Sequence, residues 1–189
     1  MRTDGERFEP ADRADWRRWL AVNHASAPRV WLVSAKKSSG RQRLSYDDAV
    51  EEALCFGWVD STVRRVDDDR NEQLFTPRRR GGTWAATNKA RVARLTADGL
   101  MAEAGLAAVA AAQADGSWTL LDDVEALRLP DDLVAALAAD PSAERGFSEL
   151  TVSVRKQALW WIVSAKREDT RARRIAAVVA AAREGRGPG

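Results

Sequence analysis

The chain is poor in the residues that carry most enzyme and metal chemistry. Its 189 residues include one cysteine, one histidine and one tyrosine. A lone Cys55 cannot close an internal disulfide, so a reducing compartment is expected. His24 and one thiol cannot complete a zinc shell without carboxylates, and neither a metal nor a cofactor is expected. No uncharged apolar run nears the about 18 residues that a membrane-spanning helix needs. The opening "MRTDGERFEP" is charged and lacks the apolar core of a secretory signal. Together these absences lead to the expectation of a cytoplasmic protein with no transmembrane segment. A strong excess of one charge is missing too. The net charge of +2 is too near zero to imply a nucleic-acid or membrane partner by itself.

What the chain does have is a folding composition. It is 45% hydrophobic and 31% charged, which argues against wholesale disorder. Eight tryptophans stand against the one tyrosine, enough that several must pack a core while others are free to line a groove. The charge is blocked along the chain. Residues 64–94 hold nine Lys/Arg against four Asp/Glu, residues 95–149 two against eleven, and residues 155–186 nine against three. Such blocks read either as basic faces for an anionic partner or as segments that attract one another once folded.

Periodicity places the elements. From Asp12 to about Ala25, Trp16, Trp19 and Leu20 recur at helical spacing, and Pro28 closes the segment. "RVWLVSAKK" (29–37) reads as a strand closed by "SSG". In "LSYDDAVEEALCFGWVD", Ser45 and Asp48 have the spacing of a capping box, and Tyr46, Val50, Ala53, Leu54 and Gly57 share a face. Residues 58–66 and 71–77 read as a hairpin around the turn "DDDR". A helix capped by Thr83 is expected to run to Gly99, and another spans about Ala102 to Ala114. Helical periodicity breaks around 117–132. Beyond it Pro130 opens a helix ending before Pro141, a helical region begins with Phe147 and Leu150, and a last helix carries Ile175, Val178, Val179 and Ala182. The expected fold is α+β: an N-terminal mixed helix/antiparallel-strand unit over 1–118, a linker at 119–130, and a small helical C-terminal unit over 131–189.

Several strings are specific beyond this pattern: "VWLVSAKK", "LSYDDAVEEALCFGWVDST", "FTPRR", Trp84 with Asn88, "RVARL" and "AKREDTRARRI". Together they resemble the YdeI/OmpD-associated family, also called bacteriocin-protection proteins, from about Trp16 to the end of the last helix. The resemblance implies the same α+β unit followed by a helical one. It implies a part in resistance to antimicrobial peptides and an association with a porin, but no reaction and no catalytic residues. The chain departs from the family's pattern at Ala85, where serine is frequent.

Three constellations bear on chemistry. Cys55, His24 and Asp60 suggest a cysteine nucleophile. On the helical wheel, however, Cys55 falls among Asp48, Glu51 and Glu52 at a helix C-terminus, and both surroundings raise a thiol pKa that a nucleophile needs lowered. A structural thiol is the default, and no catalytic residue is assigned. "DDDRNE" (67–72) lacks the alternation of an EF-hand loop and reads as a solvated turn. The third constellation is "LFTPRRRGGTW" (74–84). Read plainly, it is an edge strand stopped by Pro77, a glycine turn and a capped helix. Read functionally, three arginines beside a glycine turn and a helix N-terminus can hold an anion. The candidate ligand site is Arg78, Arg79, Trp84, Asn88 and Arg91, with Trp58, Asp60 and Ser61 lining the same cleft. The arginines would supply charge, Trp84 a stacking face and Asn88 orientation.

The resulting expectation is a non-catalytic binding or stress-protection protein that takes a small anionic ligand or a protein partner. The alternatives are a nucleic-acid-binding protein using Arg/Trp surfaces, for which no motif is present, and, less favoured still, a cysteine-dependent enzyme. The basic "AKREDTRARRIAAVV" is left open between a recognition helix, a solvated face and a helix docked on the acidic segment.

Overall fold

A computed structural model describes residues 5–40 and 44–187. The chain divides into two compact units, Met1–Thr119 and Leu120–Gly189.

The first unit is built on a four-stranded mixed sheet of β1 (Glu6–Phe8), β2 (Val30–Ala35), β3 (Trp58–Arg65) and β4 (Arg70–Pro77). Its strand order is β1-β2-β4-β3. β1 runs parallel to β2, and the other two pairs are antiparallel. The hairpin β3–β4 closes where expected. The Asp67 carboxylate accepts from the backbone N–H groups of Asp69 and Arg70, an Asx turn. The pairing between Asp60 and Val63 is shifted, which bends this edge strand. The short β1 has no period of its own. It is held by parallel pairing with β2, a long-range contact that local reading does not reveal.

One face of the sheet carries the core. Val30 and Leu32 of β2, Phe75 of β4 and Trp58 of β3 point to one side, as period-2 geometry requires. Two helices cover that side, α1 (Arg13–Asn23) and α2 (Tyr46–Cys55). Asp12 caps α1 and Ser45 caps α2, each accepting from the N–H three residues on. Trp16, Trp19 and Leu20 are buried against the sheet. The Trp16 indole N–H donates to the Ala49 carbonyl and the Trp58 indole to that of His24, so neither buries an unpaired donor. α2 is buried from Ala49 through Cys55 with Glu51 and Glu52 included, a wider burial than the stripe of Val50, Ala53 and Leu54 implies. Arg13 and Arg17 reach Glu52 at 2.6 and 2.7 Å, and Arg13 reaches Glu51 at 3.1 Å. The paired guanidinium groups make burial of both carboxylates tolerable.

The outer face of the sheet carries a second charge cluster. Glu72 is 1% exposed. It accepts from Arg7 Nε at 2.7 Å and also from Arg64, whose guanidinium lies 3.7 Å above the Trp31 ring. Two helices complete the unit, α3 (Ala86–Ala97) and α4 (Glu103–Ala114). α3 begins two residues later than expected: its N-cap is Ala85, which makes no side-chain cap bond, and Thr83 lies outside the helix. Gly105 of α4 sits against the Cys55 carbonyl so closely that a Cβ there would overlap it.

The second unit is helical: α5 (Asp122–Glu125), α6 (Asp131–Ala138), α7 (Pro141–Glu149), α8 (Val152–Val163) and α9 (Glu168–Arg183). Pro141 starts α7 rather than merely ending the helix before it. Asp140 caps that start, and proline at the first helical position loses no hydrogen bond. Leu133, Leu137, Phe147, Leu159, Ile162 and Val178 fill the core. α7 crosses α9 at Gly146, where a Cβ would run into the Ala182 carbonyl. The basic face of α9 is tied to acids of its own unit: Arg171 donates to Asp132 at 2.6 Å, and Arg183 Nε to Asp140 at 2.7 Å. Among the described residues no helix is long and apolar enough to cross a membrane.

Candidate functional site

The segment 78–85 leaves β4 and reaches α3 without secondary structure of its own. Gly81 adopts a left-handed φ of 70°, which lets the chain reverse after three arginines. The Gly81 N–H donates to the Asp115 carboxylate at 3.1 Å, and that carboxylate also accepts from the Ser117 N–H. Ser117 is the chief cause that holds the Asp115 carboxyl below its usual range. The loop is therefore pinned to the C-terminal end of α4.

Arg78 is the centre of the arrangement. Its guanidinium lies 3.7 Å from the centroid of Trp84, and the Trp118 ring lies 4.9 Å from the same indole. Arg78 Nη1 donates to the Thr83 carbonyl at 3.2 Å. Its Nε and Nη2 are buried and, among the described residues, have no hydrogen-bond partner. Burial pushes the Arg78 guanidinium down to about 10, and the charge of Asp60 only partly opposes this. It stays a cation at neutral pH, partly stripped of water and without a bonded carboxylate. On the outer face of the sheet this arginine borders an open groove of about 700 Å³. Val59, Leu74 and Pro77 form the floor of the groove, and Arg29, Arg78 and Arg79 are its charged residues, with no acid in its lining.

The other candidate residues go elsewhere. Trp58 is a core residue, 1% exposed, with its ring edge-on to Trp19. Asp60 accepts from Tyr46 Oη at 3.1 Å and Gln73 Nε2 at 2.8 Å. Arg91 bonds Asn88 Oδ1 at 3.0 Å and Asp47 at 2.5 Å. Asn88 is half-buried, and a side chain of its own helix engages its amide oxygen. Trp84 precedes α3, so it does not lie on a helical face with Asn88 and Arg91. The structure thus brings together Arg78, Arg79 and Trp84, with Ser61 in the groove wall. Arg29, Ser117 and Trp118 join them from distant parts of the chain, with no local signal to mark them.

Cys55 is fully buried in the core. Burial is the main cause that raises its thiol pKa; Glu52 adds to it and Arg17 opposes it. The acids expected beside it are thus a secondary cause. Nor is the thiol on a solvated face. His24 Nδ1 lies 3.0 Å from the Leu20 carbonyl, and its ring packs on Phe56. Among the described residues no group of three or more His, Cys, Asp or Glu is placed to hold a metal ion.

Comparison with known proteins divides the chain much as its two units do. Residues 8–108 match a family described as a domain of unknown function (DUF8412). Residues 126–185 match the family described as bacteriocin-protection, YdeI or OmpD-associated. No curated protein and no solved structure matches the chain. The chain belongs to the DUF8412 family through its strand-bearing unit, and its helical unit is similar to the bacteriocin-protection, YdeI or OmpD-associated family.

Proposed function

We propose that the protein is a non-catalytic binding protein whose first unit takes an anionic ligand in the groove beside Arg78 and Arg79. The observation that carries this reading is the state of Arg78. A desolvated cation with two unpaired N–H groups is costly. A bound phosphate or carboxylate would supply the charge and the acceptors that the protein does not. The stack on Trp84 fixes the plane of the guanidinium in advance, so little side-chain entropy remains to be lost on binding. Arg79 and Arg29 add charge along the same groove, and the apolar floor suits the uncharged part of a small phosphorylated or carboxylated metabolite.

The test is a titration of the intact chain with inorganic phosphate and with a nucleoside diphosphate, followed by tryptophan emission. Saturable change is expected, and Arg78→Ala is expected to weaken binding at least about tenfold, near 1.4 kcal/mol. Arg91→Ala should leave it unchanged, since Arg91 is engaged with Asp47 away from the groove. Absence of saturation with either probe in the parent chain would overturn the reading. A short single-stranded oligonucleotide runs alongside; affinity that falls steeply with salt would move the assignment to polyanions.

A further inference from the structure

A groove of about 700 Å³ lies between α6 and α9 of the second unit, apart from the anion site. Beside Arg171, Ile175 and Ala180, its α9 wall carries Glu168, Ala172, Ala176, Val179 and Arg183. At about 100° per residue these five positions fall within about 80° of one another, a single stripe along the helix. All are exposed except Val179, which is half-buried. The core side of α9 is a different stripe, formed by Ile175, Val178 and Ala182.

The exposed stripe is self-complementary. Turned end for end about the point midway between Ile175 and Ala176, Glu168 falls opposite Arg183 and Ala172 opposite Val179. That is the requirement of an isologous two-fold contact, in which the same patch serves both copies. Antiparallel pairing also sets each helix N-terminus beside the other's C-terminus, so the dipoles attract. The alanines let the helix axes approach to the near end of the usual 8–10 Å range. The acid is unpaired, and the base is only partly engaged: among the described residues Glu168 has no ion-pair partner. Arg183 gives Nε and Nη2 to Asp140, which orients the guanidinium and leaves Nη1 to donate elsewhere.

We infer that this face of α9 is the contact between two copies of the chain, packed antiparallel, with Glu168 of each copy on Arg183 of the other. Every charge contact occurs twice by symmetry, so a single reversal is felt twice.

The experiment is sedimentation velocity on the full chain across a wide concentration range, with far-UV circular dichroism as the check on folding. A concentration-dependent dimer is expected. Glu168→Arg and Arg183→Glu are each expected to raise its dissociation constant at least about tenfold. An equimolar mixture of the two variants should dimerise again, because the mixed pair sets acid against base at both ends. Ala176→Arg, at the centre of the stripe, should weaken the dimer as much without touching either ion pair. A chain that stays monomeric throughout, a dimer indifferent to these changes, or a mixture that fails to recover would each overturn the inference.

Discussion

Glu72 illustrates what one residue does for the outer face of the sheet. Its carboxylate is almost fully buried and fixed by Arg7 and Arg64. The hydrogen bond from Arg7 is the chief cause that holds its pKa below the ordinary carboxylate value, with Arg64 adding to it. The stabilisation is therefore complete above the unfolded pKa and is lost as pH falls through the folded one. Glu72→Gln is expected to lower unfolding free energy by about 2 kcal/mol at neutral pH and to flatten the acid limb of a denaturation series. An unchanged acid limb would show that the carboxylate does not anchor this face. Cys55 gives an equally sharp test. A fully buried thiol whose pKa is raised should react with a disulfide reagent only when the unit opens, so labelling should track global unfolding. Rapid labelling of the native chain would bring the nucleophile reading back.

At the scale of elements, the start of α3 and the α7–α9 crossing make opposite predictions. Ala85 occupies an extended N-cap position, φ −68° and ψ 149°, with no side chain to accept a helical N–H. Ala85→Ser should stabilise the chain by about 1 kcal/mol, read as a higher denaturant midpoint with an unchanged slope. Gly146→Ala should instead cost about 3 kcal/mol, since the added methyl meets the Ala182 backbone and outweighs the better helix propensity. If Gly146→Ala proves neutral, the close crossing is wrong. These positions also show how far local reading goes. α1, α2, β2 and the hairpin were legible because each buries one face against one partner, which leaves a clean period. β1 was not, because three residues paired in parallel at long range carry no period. The caps at Ser45 and Asp12 follow from spacing, whereas Thr83 met the compositional rule and missed the geometry. At the candidate site, Arg78, Arg79 and Trp84 are neighbours in sequence and stay neighbours in space. Asn88 and Arg91 form a separate pair with Asp47, and Arg29 and Trp118 arrive only through tertiary folding.

Across the whole molecule the charge blocks cancel. The second unit holds eleven Lys/Arg and eleven Asp/Glu, and the basic α9 is matched by acids of α6 and the cap of α7. That balance weakens the case for α9 as a nucleic-acid recognition helix. It also makes the unit sensitive to acid. Arg171 and Arg183 respectively are the leading causes that hold the Asp132 and Asp140 carboxyls below their usual range. Their contribution is present at neutral pH and disappears as pH drops below the ordinary carboxylate value of about 4. Asp132→Asn with Asp140→Asn is expected to remove that part of the acid response in a thermal series, while the parent chain loses stability steadily through it. The tryptophans are divided unequally too: six lie in the first unit and two, Trp160 and Trp161, in the second. In the first, Trp16 and Trp19 stack at 5.3 Å with their planes 21° apart, and Trp19 meets Trp58 edge-on at 5.8 Å. Chromophores this close share their excited states. That unit should show a split far-ultraviolet dichroism couplet and depolarised emission, an internal optical label that disappears when α1 leaves the sheet and that needs no added dye.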